Sequence, residues 1–192
     1  MTAVFVLNMP KAVIFIDGNN FYFKLKKLSL TVGEGFSLLD FDFYGFCKWL
    51  VEPNILSEAR YYIGAVRRQD NSEKSEKLYA NQQRLIGKLQ QQKVGVILGN
   101  LIQHPDKSFH EKGVDVRIAV EMIRLARQDK FDIAYLLSSD TDLVSALEEV
   151  QSIGKKVVYA GTAQGQSFGL TKQANDAVLL RPDDIKSFLK LN

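Results

Sequence analysis

The sequence predicts an α/β fold with a mostly parallel sheet of about five strands and helices on both faces. Three observations carry this. Short apolar runs alternate with helix-patterned segments along the chain. The runs are continuous rather than alternating, as in strands buried on both faces. At 192 residues, 46% of them hydrophobic, the chain suits one domain over residues 1–192, large enough to bury its own core.

Lys11 to Asp17 (KAVIFID) is the first strand, ending in an acid, and Gly18-Asn19-Asn20 reads as a turn. Phe21 to Leu28 is a short helix with Lys24, Lys26 and Lys27 facing outward. Asp40 to Val51 opens with capping acids and continues as a helix. Glu58 to Val66 is the second strand, followed by Arg67-Arg68. Ser72 to Gln92 is a long polar helix, and Lys93 to Leu98 is the third strand. Gly99 to Lys112, which holds Pro105 and both histidines, reads as an irregular excursion. Val114 to Arg127 is a strongly amphipathic helix. Asp132 to Leu137 is the fourth strand, and Ser138-Ser139-Asp140-Thr141-Asp142 follows it. Leu143 to Ile153 is a helix and Lys155 to Ala160 the fifth strand. A Gly-spaced loop, a short segment at Ala177 to Leu180 and a helix from Pro182 to Leu191 close the chain.

Crossovers between parallel strands are right-handed. Ligands of such sheets bind beyond the carboxyl ends of the strands, near the point where strand order reverses. Acids sit at two of those ends: Asp17 after the first strand, and Asp140 with Asp142 after the fourth. Hard divalent cations take oxygen ligands, and convergent carboxylates suit phosphodiester chemistry. Asn20 adds an amide oxygen that binds or steadies a ligand. Asp115 lies in the first turn of its helix, at the positive end of the helix dipole. Lys112, just before, offers a point charge to a phosphate. Each acid alone also fits a structural role. An acid before Gly-Asn forms turns. Asp140 fits an N-cap, and Ser139 with Asp142 fits a capping box.

The stretches AVIFIDGNN (Ala12 to Asn20), KGVDVRIAVEM (Lys112 to Met122) and LLSSDTDLVSALEEVQSIGKKVVYAG (Leu136 to Gly161) resemble the NYN domain. This is the LabA-like branch of the PIN-like ribonuclease superfamily. The resemblance runs from about Ala12 to about Leu180, and its motifs occur in the family's order. It implies a three-layer α/β/α PIN-like fold, dependence on Mg²⁺ or Mn²⁺, and hydrolysis of RNA. It assigns Asp17, Asp115, Asp140 and Asp142 to catalysis and metal binding, with Asn20 and Ser138 in support. It also admits a homodimer, for which the sequence carries no interface signature.

Other signals are weaker. Arg67 and Arg68, at the same sheet end, fit an RNA-backbone clamp or a solvated loop equally. Lys24, Lys26 and Lys27 read as an exposed helix face. Tyr22 fits base stacking, or partial burial between Phe21 and Phe23. His104 and His110 read as loop residues. Gly161, Gly165 and Gly169 lack the Lys-Ser or Lys-Thr of a phosphate-cradling loop and read as a flexible loop near the acids. Asp176 reads as structuring the final turn. Cys47 is the single cysteine and reads as a buried small hydrophobe.

The net charge of +3 permits a nucleic-acid partner without demanding one. One cysteine excludes an internal disulfide and a multi-cysteine zinc site. No signal peptide and no membrane span are expected, so a cytoplasmic setting is. Two further function classes remain at this point: a non-catalytic RNA-binding adaptor with the same fold, and a phosphatase of the haloacid dehalogenase type. The latter wants a second acid two residues after the first, where this chain has Asn19.

Overall fold

β1 (Lys11–Asp17) runs through the middle of the molecule and shows why the sheet is buried on both faces. Ala12, Ile14 and Ile16 pack into one core and Val13 and Phe15 into another. Side chains alternate between the faces of a strand, so a run of five apolar residues feeds both cores. Each of the four larger ones, Val13, Ile14, Phe15 and Ile16, contributes about 1.5–3 kcal/mol when fully buried.

The computed structural model describes residues 9–31, 36–66, 73–103 and 109–189. After β1 come α1 (Gly18–Thr31), α2 (Phe43–Val51), β2 (Ile55–Gly64), α3 (Glu73–Gln91), β3 (Val94–Gln103) and β4 (Phe109–Lys112). Then follow α4 (Val114–Arg127), β5 (Ile133–Leu137), a 3-10 turn (Thr141–Leu143) and α5 (Val144–Ser152). The chain continues through β6 (Lys156–Thr162), α6 (Phe168–Gln173), β7 (Asp176–Leu180) and α7 (Pro182–Lys186). The sheet has seven strands in the order β4-β3-β2-β1-β5-β6-β7. All neighbours pair parallel except β3 with β4. Helices α1, α2, α3 and α7 cover one face around Phe21, Phe43, Leu89 and Ile185. Helices α4, α5 and α6 cover the other around Ile118, Met122, Leu147 and Leu170. This is a three-layer PIN-like α/β/α fold.

Two strands exceed the expected five. Gly99–Lys112 is not an irregular excursion throughout: β3 continues to Gln103 and β4 turns back along it, Asn100 opposite Lys112. Four residues of FHEK carry no strand pattern, because an edge strand is held by backbone pairing rather than by apolar alternation. The short segment near Ala177 is β7, parallel to β6. Gly18-Asn19-Asn20 is not a free turn but the first turn of α1. The Asp17 carboxylate accepts the Asn20 N–H at 3.1 Å and so starts the helix. The closing helix ends at Lys186; Leu189 forms an isolated bridge with Phe41 instead. Among the described residues, no helix is long and apolar enough to cross a membrane.

Candidate metal centre

Strand order reverses between β1 and β5, since the chain's next strands lie on opposite sides of that pair. Such a reversal leaves a crevice at the carboxyl ends, because the two crossovers leave in opposite directions. Asp17 ends β1 and Ser138 follows β5, so both side chains arrive at its floor.

There they meet. Ser138 donates its hydroxyl to Asp17 Oδ2 at 3.0 Å, and Asn20 Nδ2 donates to the same oxygen at 2.7 Å. With the Asn20 backbone N–H on Oδ1, the Asp17 carboxylate takes three donors and is 7% exposed. Ser138 Oγ also accepts the Asp140 N–H at 3.1 Å. Ser139 Oγ donates to Asn20 Oδ1. The two strand ends are thus laced together by Asn20, Ser138 and Ser139. Gly18 is required beneath them: a Cβ there would meet the Tyr61 ring and stand 2.7 Å from the Tyr62 carbonyl oxygen.

Asp140 is the N-cap of the 3-10 turn, its Oδ1 accepting the Asp142 N–H at 3.0 Å. The cap reading of Asp140 therefore holds, and it occupies only one carboxylate oxygen. No Ser139–Asp142 capping box forms. Asp115 stands in the first turn of α4, which Gly113 enters with a left-handed φ of 77°. Carboxylate oxygens of Asp115, Asp140 and Asp142 lie within 4.8 Å of one another. Asp17 is outside that trio but lines the same cleft of about 330 Å³ with Asn20, Asp115 and Asp140.

All-oxygen, anionic donors suit Mg²⁺ or Mn²⁺. Opposed ligands of an octahedral Mg²⁺ stand about 4.2 Å apart, so the trio accommodates a divalent cation with part of its shell supplied by water. The residues fit the metal that the resemblance implies.

The remaining expectations divide. Arg67, Arg68 and His104 lie outside the described residues, as do the side chains of Lys112 and His110. Asp176 caps the start of β7, its carboxylate bound by the Ala177 N–H, and it is not part of the acid trio. Cys47 is fully buried, which pushes its thiol pKa up. The expected loop over the three glycines narrows to residues 163–167, with Gly161 in β6 and Gly169 in α6. Lys24 corrects the outward-facing reading of its helix. It is half-buried, lines a second hollow beside the acids and reaches the Gly165 carbonyl at 3.4 Å. The spacing Asn20, Lys24, Lys27 marks one helical stripe, a signal available in the sequence.

The sequence matches the NYN domain family over residues 11–180. The chain belongs to the NYN domain family. This NYN domain resembles the crystal structure of a protein of unknown function from Vibrio parahaemolyticus at TM-score 0.63 and 22% identity. That match covers 96% of this chain and 99% of the other and supports the fold. An isopentenyl phosphate kinase–substrate complex aligns over 79% of this chain and 90% of its own, at TM-score 0.39 and 10% identity, too distant to bear on the NYN fold. No curated protein matches the chain. Membership places the NYN domain among PIN-like, nuclease-type hydrolases.

Proposed function

We propose that this NYN domain is a metal-dependent ribonuclease that hydrolyses phosphodiester bonds within RNA, in the LabA-like branch of the family. One observation carries the reading: three carboxylates from two separate elements converge within 4.8 Å at the strand-order switch. Structure alone does not require that crowding, since Asp140 already caps the turn.

Asp115, Asp140 and Asp142 would hold the divalent cation, Mg²⁺ or Mn²⁺. A divalent cation there neutralises charge on a phosphoryl oxygen and makes water more acidic. Asp17 contributes from the cleft floor. Three of its roughly four lone-pair sites are taken by Asn20 and Ser138 donors, so its part would be to add negative charge beside the trio and hold the cleft floor in shape. Asn20 and Ser138 fix that carboxylate, and Ser138 fixes Asp140 as well. No protein nucleophile is engaged, and RNA is the partner. Lys112, Arg67 and Arg68 remain candidates for its backbone on the strength of their sequence positions.

The test is Asp140→Asn, with cleavage of single-stranded and structured RNA followed in Mn²⁺. A loss of at least about 100-fold is expected, by comparison with the 10–100-fold cost of disturbing groups that only orient metal ligands. Unchanged cleavage sinks the assignment. Metal-dependent binding without product marks the non-catalytic adaptor instead.

A further inference from the structure

The cleft above the acids does not end at Asn20. Asn19 and Asn20 also line a second hollow of about 350 Å³, whose walls include Phe23, Lys24, Lys27 and Gln164. Lys24, Lys27, Thr162 and Gln164 in turn line a third of about 170 Å³, which ends at Arg181. The three hollows share walls and form one trough. One side is the α1 stripe, and the other is the connection from β6 to α6.

Charge changes sign along it. The near end is lined by three aspartates, Asp17, Asp115 and Asp140, and the far end by Lys24, Lys27 and Arg181. Among the described residues, none of these three cations forms an ion pair. The opposite wall is held in shape by Thr162 Oγ1 donating to the Gln164 carbonyl at 2.7 Å. The Ser167 N–H donates to the Tyr159 hydroxyl at 3.0 Å. Burial pulls the Lys24 ammonium below its usual pKa, although the nearby Asp17 charge acts the other way. A cation held half-buried without a carboxylate partner is costly unless an anion visits it. Phe23 lines the second hollow and is 62% exposed, a large aromatic largely open to solvent.

We propose that the far end of the trough is a second RNA subsite, in which Lys24 and Lys27 bind backbone phosphates beyond the scissile one and Phe23 stacks a base. This rests on the ribonuclease reading and adds a direction to it: the strand leaves the acids along α1 toward Arg181. Lysine serves phosphate as a point charge, and aromatic stacking accepts any base. The subsite therefore adds affinity and length dependence without sequence preference.

The test uses a fluorescein-labelled single-stranded phosphorothioate RNA ten-mer in Mg²⁺, with anisotropy followed against salt. Each phosphate contact in a single strand adds about 0.7 to the salt slope. Lys24→Gln with Lys27→Gln is expected to lower the slope by about 1.4 and to weaken binding about tenfold at low salt. Phe23→Ala weakens it about tenfold with the slope unchanged. Lys26→Gln removes the same charge from the same helix but lies off the trough, over the Tyr22 ring, and leaves the slope unchanged. Lys27→Gln alone, at an exposed position, guards against misfolding of the Lys24 variant and lowers the slope by about 0.7. In cleavage, the double variant raises KM for the unmodified ten-mer and leaves a dinucleotide substrate unaffected. If wild-type protein cuts RNA while the variants bind with wild-type slope and affinity, the subsite falls and the nuclease stands. If wild-type protein neither binds nor cuts RNA, both fall.

Discussion

Ser138 Oγ donates to Asp17 Oδ2 at 3.0 Å across 121 positions of sequence, and Ser138 Oγ itself accepts the Asp140 N–H. One fully buried hydroxyl thus sets both the floor carboxylate and the turn that carries two of the acid trio. Ser138→Ala leaves a buried carboxylate oxygen and a backbone donor each short of a partner. The expected cost is about 1–3 kcal/mol. In a chain of this size, each kcal/mol lowers Tm by about 2–4 °C. Thermal denaturation reads the first effect, and a weaker metal-induced rise in Tm reads the second.

Asp142 is the exposed member of the trio, beside Asp115 and Asp140. Without a cation, three clustered carboxylates repel one another; with one, they are bound. Asp142→Asn should therefore melt at or slightly above wild type in EDTA. It should lose most of the stabilisation that wild type gains from millimolar Mn²⁺. Binding to the folded state alone stabilises by about 2.7 kcal/mol at 100 times Kd. Equal metal-induced shifts in both proteins would show that Asp142 is only a turn residue.

Glu121 is buried on α4 and accepts Arg60 Nη1 at 2.6 Å and the Tyr62 hydroxyl at 2.9 Å, both from β2. It joins the helix bearing Asp115 to the sheet. Glu121→Ala leaves Arg60 half its carboxylate partners in a largely buried site. Destabilisation of about 3–5 kcal/mol is expected, measured by urea unfolding. A cost under 1 kcal/mol would mean that Glu58 alone satisfies Arg60.

Burial, reinforced by the Glu121 charge, raises the Tyr62 pKa above the ordinary tyrosine value. The folded state therefore holds this proton more tightly than the unfolded state. Its stabilising contribution is complete below about pH 10, the unfolded value, and is lost as pH rises through the folded one. Stability should fall from pH 10 upward, and Tyr62→Phe should flatten that limb while costing stability at neutral pH. Denaturation midpoints from pH 8 to 11.5 check it.

Much of the site was legible because strand ends and helix starts announce themselves. KAVIFID ends on Asp17 and DIAYLL leads to Asp140, so topology alone brought these acids to one edge. The helix pattern from Val114 placed Asp115 in a first turn, but nothing local in the sequence showed that α4 sets it against the 3-10 turn. That juxtaposition depends on how helices stack on the sheet, which periodicity does not encode. Lys24 was misread because a lysine on an amphipathic helix is usually solvated, and its half-burial comes from a wall 140 residues away. β4 escaped because an edge strand is held by backbone pairing, which leaves no apolar pattern in the sequence.

The Ser138–Asp17 bond also sets a clock. N-terminal segments emerge first during synthesis, at about 5–20 residues per second. The 121 positions between its partners then correspond to about 6–24 s in which Asp17 exists without the hydroxyl that seats it. The trio is later still, since it waits for Asp142. A carboxylate centre of this kind cannot assemble on the ribosome before Asp142 has been added to the chain.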